Sequence, residues 1–361
     1  MNTPFYDPQK SYEENFKEGP FGAFADGKIL EKEGEPQMEF FGHKVYLPFG
    51  IPAGPLLNGN FAKAALDKGF DIVVYKTVRS ERLASHPWPN VLPVDIAGDL
   101  TLEIAKGKLK VKNNYEDPLS ITNSFGVPSA SPEFWQKDIK ELLEYTKKGQ
   151  VVVGAFQGTK KENGNFEAYL ADFVLCAKLL KDVGVKIFEV NLSCPNEGTS
   201  NLLCYDTERS AKVAEAIKKE IGNLPLIIKI GYFENDIKLR EFVKVLGSIV
   251  DGISAINTIS AEIVNDKGEP SLPGEGRIRS GVCGRSIKWA GIDMVGRLKK
   301  LREEFGYKYI IIGVGGVFTS DDFVEYRKVG ADVVMSATGA IWNPYLAKEI
   351  KEGPLKLNIK Q

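Results

Sequence analysis

Eight short apolar segments, each followed by a stretch with helical periodicity, constrain the fold of this chain more than any other feature. The segments are rich in Val and Ile and barely alternate between apolar and polar residues, which is typical of strands covered on both faces. Eight repeated βα units favour a parallel (β/α)8 TIM barrel of the α/β class, and a doubly wound sheet is the alternative. The predicted strands are Phe49–Ala53, Asp71–Lys76, Val151–Phe156, Lys186–Asn191, Leu226–Ile230, Gly252–Asn257, Tyr309–Gly313 and Asp332–Ser336.

The stretches between these strands have the periodicity of amphipathic helices. The predicted helices are Phe61–Lys68, Pro132–Lys148, Asn165–Val183, Thr207–Ile221, Asp236–Ile249, Ile287–Phe305 and Ser320–Val329, with a last one from about Asn343. Two connections, Ala84–Ser120 and Ser260–Arg279, are too long for minimal loops, and such long loops are usually functional. We therefore predict one barrel domain with long βα loops over residues 45–361, and an N-terminal extension over residues 1–44 that packs on it.

Charge and residue counts argue against several classes of function. The formal net charge is −1 and no basic run stands out, so no nucleic-acid partner is expected. The four cysteines and two histidines do not form the ligand clusters of a zinc or iron–sulfur site, so no metal is expected. Few cysteines, a polar start from Met1 to Gly19 and no apolar stretch of about 18 residues predict a cytoplasmic protein without a membrane span.

Reactive side chains gather at the predicted carboxyl ends of the strands, where barrels carry their chemistry. Lys76 and Lys229 end or nearly end buried strands, where a lysine needs a partner. Three interpretations stay open for them: a fixed cation beside a flavin, the Schiff-base lysine of an aldolase, or a lysine at a wet barrel mouth. Cys194 follows the fourth strand among polar neighbours, and its ordinary pKa of about 8.5 would suit a nucleophile or a general base.

A glycine-rich turn follows the seventh predicted strand. Gly313, Gly315 and Gly316 would let backbone N–H groups approach phosphate oxygens closely, and barrels often bind phosphate between strands seven and eight. Thr338, after strand eight, would add a hydroxyl, whereas the alternative is that these glycines only form a tight turn. The sequence contains neither the Gly-x-Gly-x-x-Gly unit of a Rossmann site nor a Walker A motif.

The segment Phe188–Asn196 reads Phe-Glu-Val-Asn-Leu-Ser-Cys-Pro-Asn and resembles the signature of dihydroorotate dehydrogenases. The resemblance covers roughly residues 45–345 and includes Val74–Thr77, Asn123–Pro128, Ile256–Thr258, Gly281–Gly284, Ile312–Gly316 and Ala337–Thr338. It implies an FMN enzyme that oxidises dihydroorotate to orotate in pyrimidine biosynthesis. A cysteine in place of a serine base is similar to the class 1, soluble branch of the family.

The resemblance also implies roles for individual residues. Cys194 would be the catalytic base that removes the C5 proton of dihydroorotate, while hydride passes from C6 to flavin N5. The substrate would be bound by Lys76, Asn123, Phe125, Gly126, Val127, Asn191, Asn196, Asn257 and Thr258. FMN would be bound by Ala53, Gly54, Lys76, Thr77, Asn191, Lys229, Ile256, Cys283, Gly284, Gly315, Gly316, Ala337 and Thr338. We expect a homodimer, and use of NAD would require an electron-transfer partner subunit.

Three features depart from the family pattern. The segment Glu197–Leu202 reads Glu-Gly-Thr-Ser-Asn-Leu where the fumarate-using subclass usually has Val-Pro-Gly-Lys-Pro-Gln. This change leaves the electron acceptor open, and with it an alternative substrate such as another dihydropyrimidine or cyclic amide. Phe125 replaces the usual Met. The chain is also longer than typical class 1 members, at the N-terminus and around Ala84–Asn114.

Overall fold

A closed barrel of eight parallel strands forms the centre of the protein. This computed structural model describes residues 2–161, 164–193, 202–274 and 277–353. Each strand pairs with its neighbours in parallel, and the eighth pairs with the first, so no edge is left open. The TIM-barrel prediction is confirmed and the doubly wound alternative is wrong, because an open sheet would leave two unpaired edges. The strands are β1 (Phe49–Ile51), β2 (Ile72–Val78), β3 (Val151–Phe156), β4 (Phe188–Asn191), β5 (Leu226–Ile230), β6 (Gly252–Ala255), β7 (Ile310–Val314) and β8 (Val333–Met335).

An outer layer of helices follows the strands in the predicted order. They are α1 (Gly59–Asp67), α2 (Pro132–Tyr145), α3 (Phe166–Asp182), α4 (Thr207–Ile221), α5 (Asp236–Leu246), α6 (Lys288–Phe305), α7 (Ser320–Val329) and α8 (Leu346–Glu352). Helices α4 and α7 have the predicted ends, and the ends of the other helices differ from the predictions by about one to three residues. Helix α1 starts two residues early since Asn58 accepts from the Asn60 N–H at 3.1 Å. The side chain of Asp206 caps α4 by accepting from the Arg209 N–H at 3.0 Å.

Side chains from alternate strand positions fill the barrel. Ile72, Val151, Ile187 and other aliphatic residues form an interior cluster that is shielded from solvent. The hairpin of strands Met38–Phe40 and His43–Val45 closes the amino end, where Phe40 and Val45 join this cluster. Complete burial of side chains of this size stabilises the fold by about 1.5–3 kcal/mol each. Chemistry is therefore confined to the carboxyl end, which the hairpin does not cover.

The two long loops predicted to be functional pair with each other in a second sheet. It has five short strands, in the order Val91–Pro93, Ser120–Asn123, Arg279–Gly284, Ile259–Val264 and Lys108–Lys110. Its central pair is antiparallel, with Gly281 opposite Asn123 and Cys283 opposite Ile121. The first loop also contains the helix Leu102–Lys106, and the second ends in the 3-10 turn Arg285–Ile287. The sheet holds the loop at residue 123 in a fixed position at the barrel mouth.

The N-terminal segment packs against the barrel through aromatic residues. It contains the helix Tyr12–Glu18 and the 3-10 turn Gly22–Ala25. The ring of Phe5 lies 4.7 Å from that of Phe24 and 5.8 Å from that of Phe61 on α1, measured between centroids. The Phe5 N–H donates to the Ile341 carbonyl, near the end of the short helix Thr338–Trp342. A domain boundary at residue 44 stays a prediction, since the hairpin at residues 38–45 spans it.

Within the residues that the structure describes, no helix is both long and apolar enough to cross a bilayer. The same part of the chain holds no group of three or more His, Cys, Asp or Glu side chains placed to bind a metal ion. Another 3-10 turn, Leu203–Tyr205, leads into α4.

Candidate active site

Three adjoining cavities at the carboxyl end of the barrel share Asn257 as a lining residue and form one cleft. The barrel supplies its floor, while the five-stranded sheet and the N-terminal segment supply its walls. Residues from the ends of most of the barrel strands therefore meet in one place. The predicted site residues on its surface are Ala53, Gly54, Lys76, Thr77, Asn123, Phe125, Val127, Asn191, Lys229, Asn257, Thr258, Cys283, Gly284, Gly315, Gly316, Ala337 and Thr338.

Four other predicted residues are placed differently. Gly126 and Ile256 lie beside the cleft. A Cβ on Gly126 would stand 2.5 Å from Nε2 of His86, and Ile256 is fully buried. Cys194 and Asn196 lie outside the described residues, so the roles predicted for them stay predictions from the sequence.

Two buried lysines face the cleft from β2 and β5. Lys76 Nζ donates to the Gly54 carbonyl at 3.0 Å, and Lys229 Nζ donates to the Ala53 carbonyl at 3.2 Å. Each is 6% exposed. Burial, together with the repulsion from Lys229, lowers the pKa of Lys76 to about 7. Burial also lowers the pKa of Lys229. Two cations with few partners at one barrel mouth favour the binding of an anionic group between them.

Glu189, a residue that the sequence predictions missed, lies in the barrel interior below Lys229. On β4 it is in register with Ala155 of β3 and Ile227 of β5, and both of these belong to the interior cluster. Lys229 follows Ile227 by two positions and so projects from the same face of β5. Within the described part of the chain, neither carboxylate oxygen of Glu189 has a hydrogen-bond partner, and burial raises its pKa. Its attraction for Lys229 opposes the effect of burial on the pKa of that lysine.

A chain of hydrogen bonds fixes the amides after β4 and β6. Asn191 Nδ2 donates to Gln157 Oε1 at 2.8 Å, and Asn191 Oδ1 accepts from Ser193 Oγ at 3.1 Å. Asn257 Nδ2 donates to Ser193 Oγ, also at 3.1 Å. Ser193 therefore joins the two predicted substrate-binding amides and sets their orientation. Since the Nδ2 group of Asn257 is directed to Ser193, its Oδ1 is the atom suited to accept from a ligand N–H.

The second sheet contributes its own polar groups to the cleft. Asn123 Nδ2 donates to Cys283 Sγ at 3.5 Å, and Thr338 Oγ1 donates to the same sulfur at 3.4 Å. Burial raises the pKa of the Cys283 thiol, so it is neutral here. Cys283 therefore acts as an acceptor that connects the sheet to the end of β8.

The loop after residue 123 adopts an unusual backbone that buried arginines hold in place. Val127 has a φ of 51°, which is costly for a β-branched residue, and its carbonyl accepts from Arg79 Nε at 3.0 Å. Arg277 is 3% exposed and donates to both Oγ and the carbonyl of Ser124. Its remaining donors bind the carbonyls of Pro87, Pro89 and Pro273. Such strain often occurs at functional sites, where surrounding contacts maintain it.

The glycine-rich turn after β7 forms a cradle at the other end of the cleft. Gly315 and Gly316 have φ values of 131° and 66°, which favour glycine. A Cβ on Gly316 would lie 2.5 Å from Cβ of Lys288, and the Gly315 carbonyl accepts from Tyr326 Oη at 2.7 Å. The glycines form a tight turn, and the turn also borders a cavity that Thr338 lines. The geometry is therefore compatible both with a phosphate-binding loop and with a turn that has no ligand.

Two tyrosines of the N-terminal segment, Tyr6 and Tyr12, also reach the site and were missed by sequence reasoning. Tyr6 lines the cleft, and its buried hydroxyl has no hydrogen-bond partner among the described residues. The Tyr12 ring lies against Lys76, with 5.2 Å between its centroid and Nζ. Aromatic residues in an otherwise polar N-terminus were the available signal, but nothing in the sequence indicated where they pack.

Comparisons with known proteins agree with this geometry. The sequence model of the family described as "Dihydroorotate dehydrogenase" matches residues 101–357. A Dictyostelium discoideum protein named dihydroorotate dehydrogenase is 37% identical, and the match covers 96% of each chain. The catalytic subunit of dihydroorotate dehydrogenase B (NAD(+)) from Desulforamulus reducens is 28% identical over 73% of this chain and 81% of its own.

A solved structure supports the fold independently. The crystal structure of DHODH from Eimeria tenella in complex with ferulenol superposes with a TM-score of 0.69, at 18% sequence identity, and covers 90% of this chain and 85% of that one. At this level of identity the likeness concerns the fold alone.

The matched region of the family model spans more than half of the sequence, and the match to the Dictyostelium protein spans nearly all of it. The chain therefore belongs to the dihydroorotate dehydrogenase family.

Proposed function

We propose that this protein is an FMN-dependent dehydrogenase that oxidises dihydroorotate to orotate in pyrimidine biosynthesis and resembles class 1 in using a cysteine base. The observation that carries the proposal is the convergence of Lys76, Lys229 and three amides on one cleft at the carboxyl end of the barrel. Dihydroorotate has a carboxylate and a ring with both N–H donors and carbonyl acceptors, so a site with cations and amides is complementary to it.

The residues present fit FMN. The cradle at Gly315, Gly316 and Thr338 presents backbone and hydroxyl groups suited to a phosphate, and the cavity between it and the lysines has apolar walls suited to a ring system. Lys229 would lie beside the ring as a fixed cation, which favours reduction. When bound, FMN supplies the hydride acceptor. The residues that we propose to hold it are Ala53, Gly54, Lys76, Thr77, Asn191, Lys229, Ile256, Cys283, Gly284, Gly315, Gly316, Ala337 and Thr338.

The chain's own groups would bind the substrate and remove a proton from it. Lys76 pairs with the carboxylate of dihydroorotate, and Asn123, Asn191 and Asn257 bind the ring in an orientation that the contacts of Ser193 fix. The thiolate of Cys194 takes the C5 proton. This assignment rests on the sequence motif, because Cys194 lies outside the described residues. The low pKa of Lys76, about 7, means that this cation is lost in mildly alkaline solution unless the substrate carboxylate stabilises it.

Anaerobic addition of dihydroorotate to the protein reconstituted with FMN tests cofactor and substrate together. We expect the visible flavin absorbance to bleach in proportion to the dihydroorotate added. A protein that binds FMN but bleaches only with another dihydropyrimidine or cyclic amide would support the alternative substrate. A protein that binds no FMN would contradict the proposal as a whole.

We further propose a cytoplasmic homodimer whose electron acceptor is fumarate, a quinone, or NAD through a partner subunit. Several relatives are named as catalytic subunits of dihydroorotate dehydrogenase B (NAD(+)), which supports inclusion of a partner among these alternatives. Light scattering gives the oligomeric state, and a mass equal to one chain would contradict the dimer. Reoxidation of the bleached protein by fumarate, quinone or NAD identifies the acceptor. A response to NAD that appears only in cell extract would indicate a partner subunit.

A further inference from the structure

The ammonium group of Lys76 lies between two aromatic rings. Its Nζ is 5.2 Å from the ring centroid of Tyr12 and 5.0 Å from that of Phe125. Among the described residues, Lys76 Nζ donates to the Gly54 carbonyl at 3.0 Å, and the positive charge of Lys229 repels it. A buried ammonium in this environment needs a source of negative potential, and the faces of aromatic rings provide one at these distances.

The protein holds both rings in place. Tyr12 is 6% exposed at the start of the helix Tyr12–Glu18, and a capping box between Ser11 and Glu14 fixes that helix start. The centroids of Tyr12 and Phe125 are 5.9 Å apart, and Tyr6 packs edge-on against Phe125 at 5.6 Å. The position of the rings is therefore set by the N-terminal segment as much as by the barrel.

We propose that the N-terminal segment is a component of the active site, in which Tyr12 and Phe125 form an aromatic clamp that holds the Lys76 ammonium in place and favours its charged form. Tyr12 is then a positioning residue that acts through Lys76. The clamp accounts together for two departures from the family pattern, the longer N-terminus and a ring at position 125 where Met is usual, because Met has no ring face to offer a cation. That Lys76 binds substrate and flavin rests on the proposed function, but the clamp itself does not.

The test measures how fast acetic anhydride modifies Lys76 in the purified protein, by peptide mass spectrometry, relative to the exposed Lys300 in the same sample. Acylation requires the neutral amine, and the clamp favours the charged one. Tyr12→Leu and Phe125→Leu each remove one ring face. At about pH 5.5, well below the Lys76 pKa of about 7, we expect Lys76 to react roughly three- to tenfold faster in either variant. Tyr12→Phe keeps the ring and should react at the wild-type rate.

Phe24→Leu is the matched control for a general loosening of the N-terminal segment. Phe24 is 4% exposed in the same segment and packs against Phe5 and Phe70 rather than Lys76. Equal acceleration of the labelling of Lys76 in Tyr12→Leu and Phe24→Leu would overturn the clamp and leave Tyr12 a structural role. An unchanged labelling rate in both Tyr12→Leu and Phe125→Leu would also overturn the clamp. If Tyr12→Leu does not fold, the labelling rate of Lys76 in Phe125→Leu tests the clamp through its second ring.

A second measurement connects the clamp to the cofactor. The dissociation constant of FMN should rise severalfold in Tyr12→Leu and stay within about twofold of wild type in Phe24→Leu, because only the first variant removes a ring that holds and stabilises the Lys76 cation. The labelling experiment needs neither flavin nor substrate. Failure of dihydroorotate to bleach the flavin would therefore contradict the proposed function without affecting the clamp, and unchanged labelling would refute the clamp without affecting the proposed function.

Discussion

Replacement of Arg277 by Lys should destabilise the protein and weaken substrate binding together. The guanidinium has five N–H donors, and all five are used: two bind Ser124, and the others bind the carbonyls of Pro87, Pro89 and Pro273. An ammonium has three donors, so at least two buried acceptors lose their partner. A hydrogen bond from a charged donor contributes about 1.5–3 kcal/mol, so the loss of two corresponds to about 3–6 kcal/mol of unfolding free energy.

The functional consequence follows from the position of Ser124, which directly follows Asn123. If Asn123 binds the substrate as proposed, a loop released at Ser124 should raise KM for dihydroorotate more than it lowers kcat, because a ground-state contact is loosened. Urea unfolding followed by circular dichroism gives the stability, and steady-state kinetics at saturating FMN gives the two constants.

Arg279→Lys is the matched control, two residues along the same strand region. Arg279 is exposed and donates to the carbonyls of Ala105 and Ser260, so its replacement should cost less than about 1 kcal/mol. Equal losses of stability in the two variants would refute the reasoning. So would an Arg277→Lys protein that unfolds at the wild-type urea concentration.

Three further predictions concern single groups. Tyr326→Phe removes the donor to the Gly315 carbonyl, so it should cost about 1–3 kcal/mol of stability in thermal unfolding and weaken FMN binding in a flavin titration. An unchanged affinity for FMN would show that this turn does not bind the phosphate. Burial raises the pKa of both Cys176 and Cys204 to about 12, so roughly one thiol in ten thousand is ionised at pH 8, and neither should be alkylated by iodoacetamide before unfolding. Cys194→Ala should lower the rate of flavin reduction by dihydroorotate at least about 10²-fold in stopped-flow experiments, and a variant with full activity would rule out the proposed base.

The sequence predicted the barrel well because each of its strands is buried on both faces. A strand such as Val151–Phe156 is apolar at every position, and the same signal occurs eight times with helical stretches between. The predicted start of α1 was two residues late because the cap at Asn58 was not recognised, whereas the predicted start of α4 at Thr207 is the observed one. Local patterns thus specify the order of the elements, while the side-chain contacts at each end set their limits.

The second sheet could not be predicted from the same signals. Its strands Val91–Pro93 and Lys108–Lys110 have three residues each, too few to show alternation. Its central pairing joins Ser120–Asn123 to Arg279–Gly284, which are more than 150 residues apart in sequence. Long loops indicated function at these places, but pairing across such a distance depends on the barrel that brings the loops together.

The residues missed at the site have a common physical reason. Glu189 is a charged residue in an otherwise apolar strand. The sequence shows that it is unusual there, but it does not show which group offsets the cost of burying its carboxylate. Tyr6 and Tyr12 belong to a polar segment that was predicted to pack on the barrel, but the sequence did not indicate that these two rings would be buried at the site. In each case the function of the side chain depends on a partner that is distant in sequence, Lys229 for the carboxylate and Phe125 for the tyrosines.

Two regions that depart from the family pattern, the N-terminal segment and the first long loop, meet the second long loop around one element, the loop from Asn123 to Val127. The N-terminal segment contacts it through Phe125, the first long loop pairs with the strand that precedes it, and the second supplies Arg277. The barrel itself places the lysines and the amides after β4 and β6. Because these two sets of contacts are separate, changes in the peripheral segments can alter how the loop holds a substrate while the groups on the barrel stay in place. A difference in substrate or acceptor from other family members would therefore arise first at this loop.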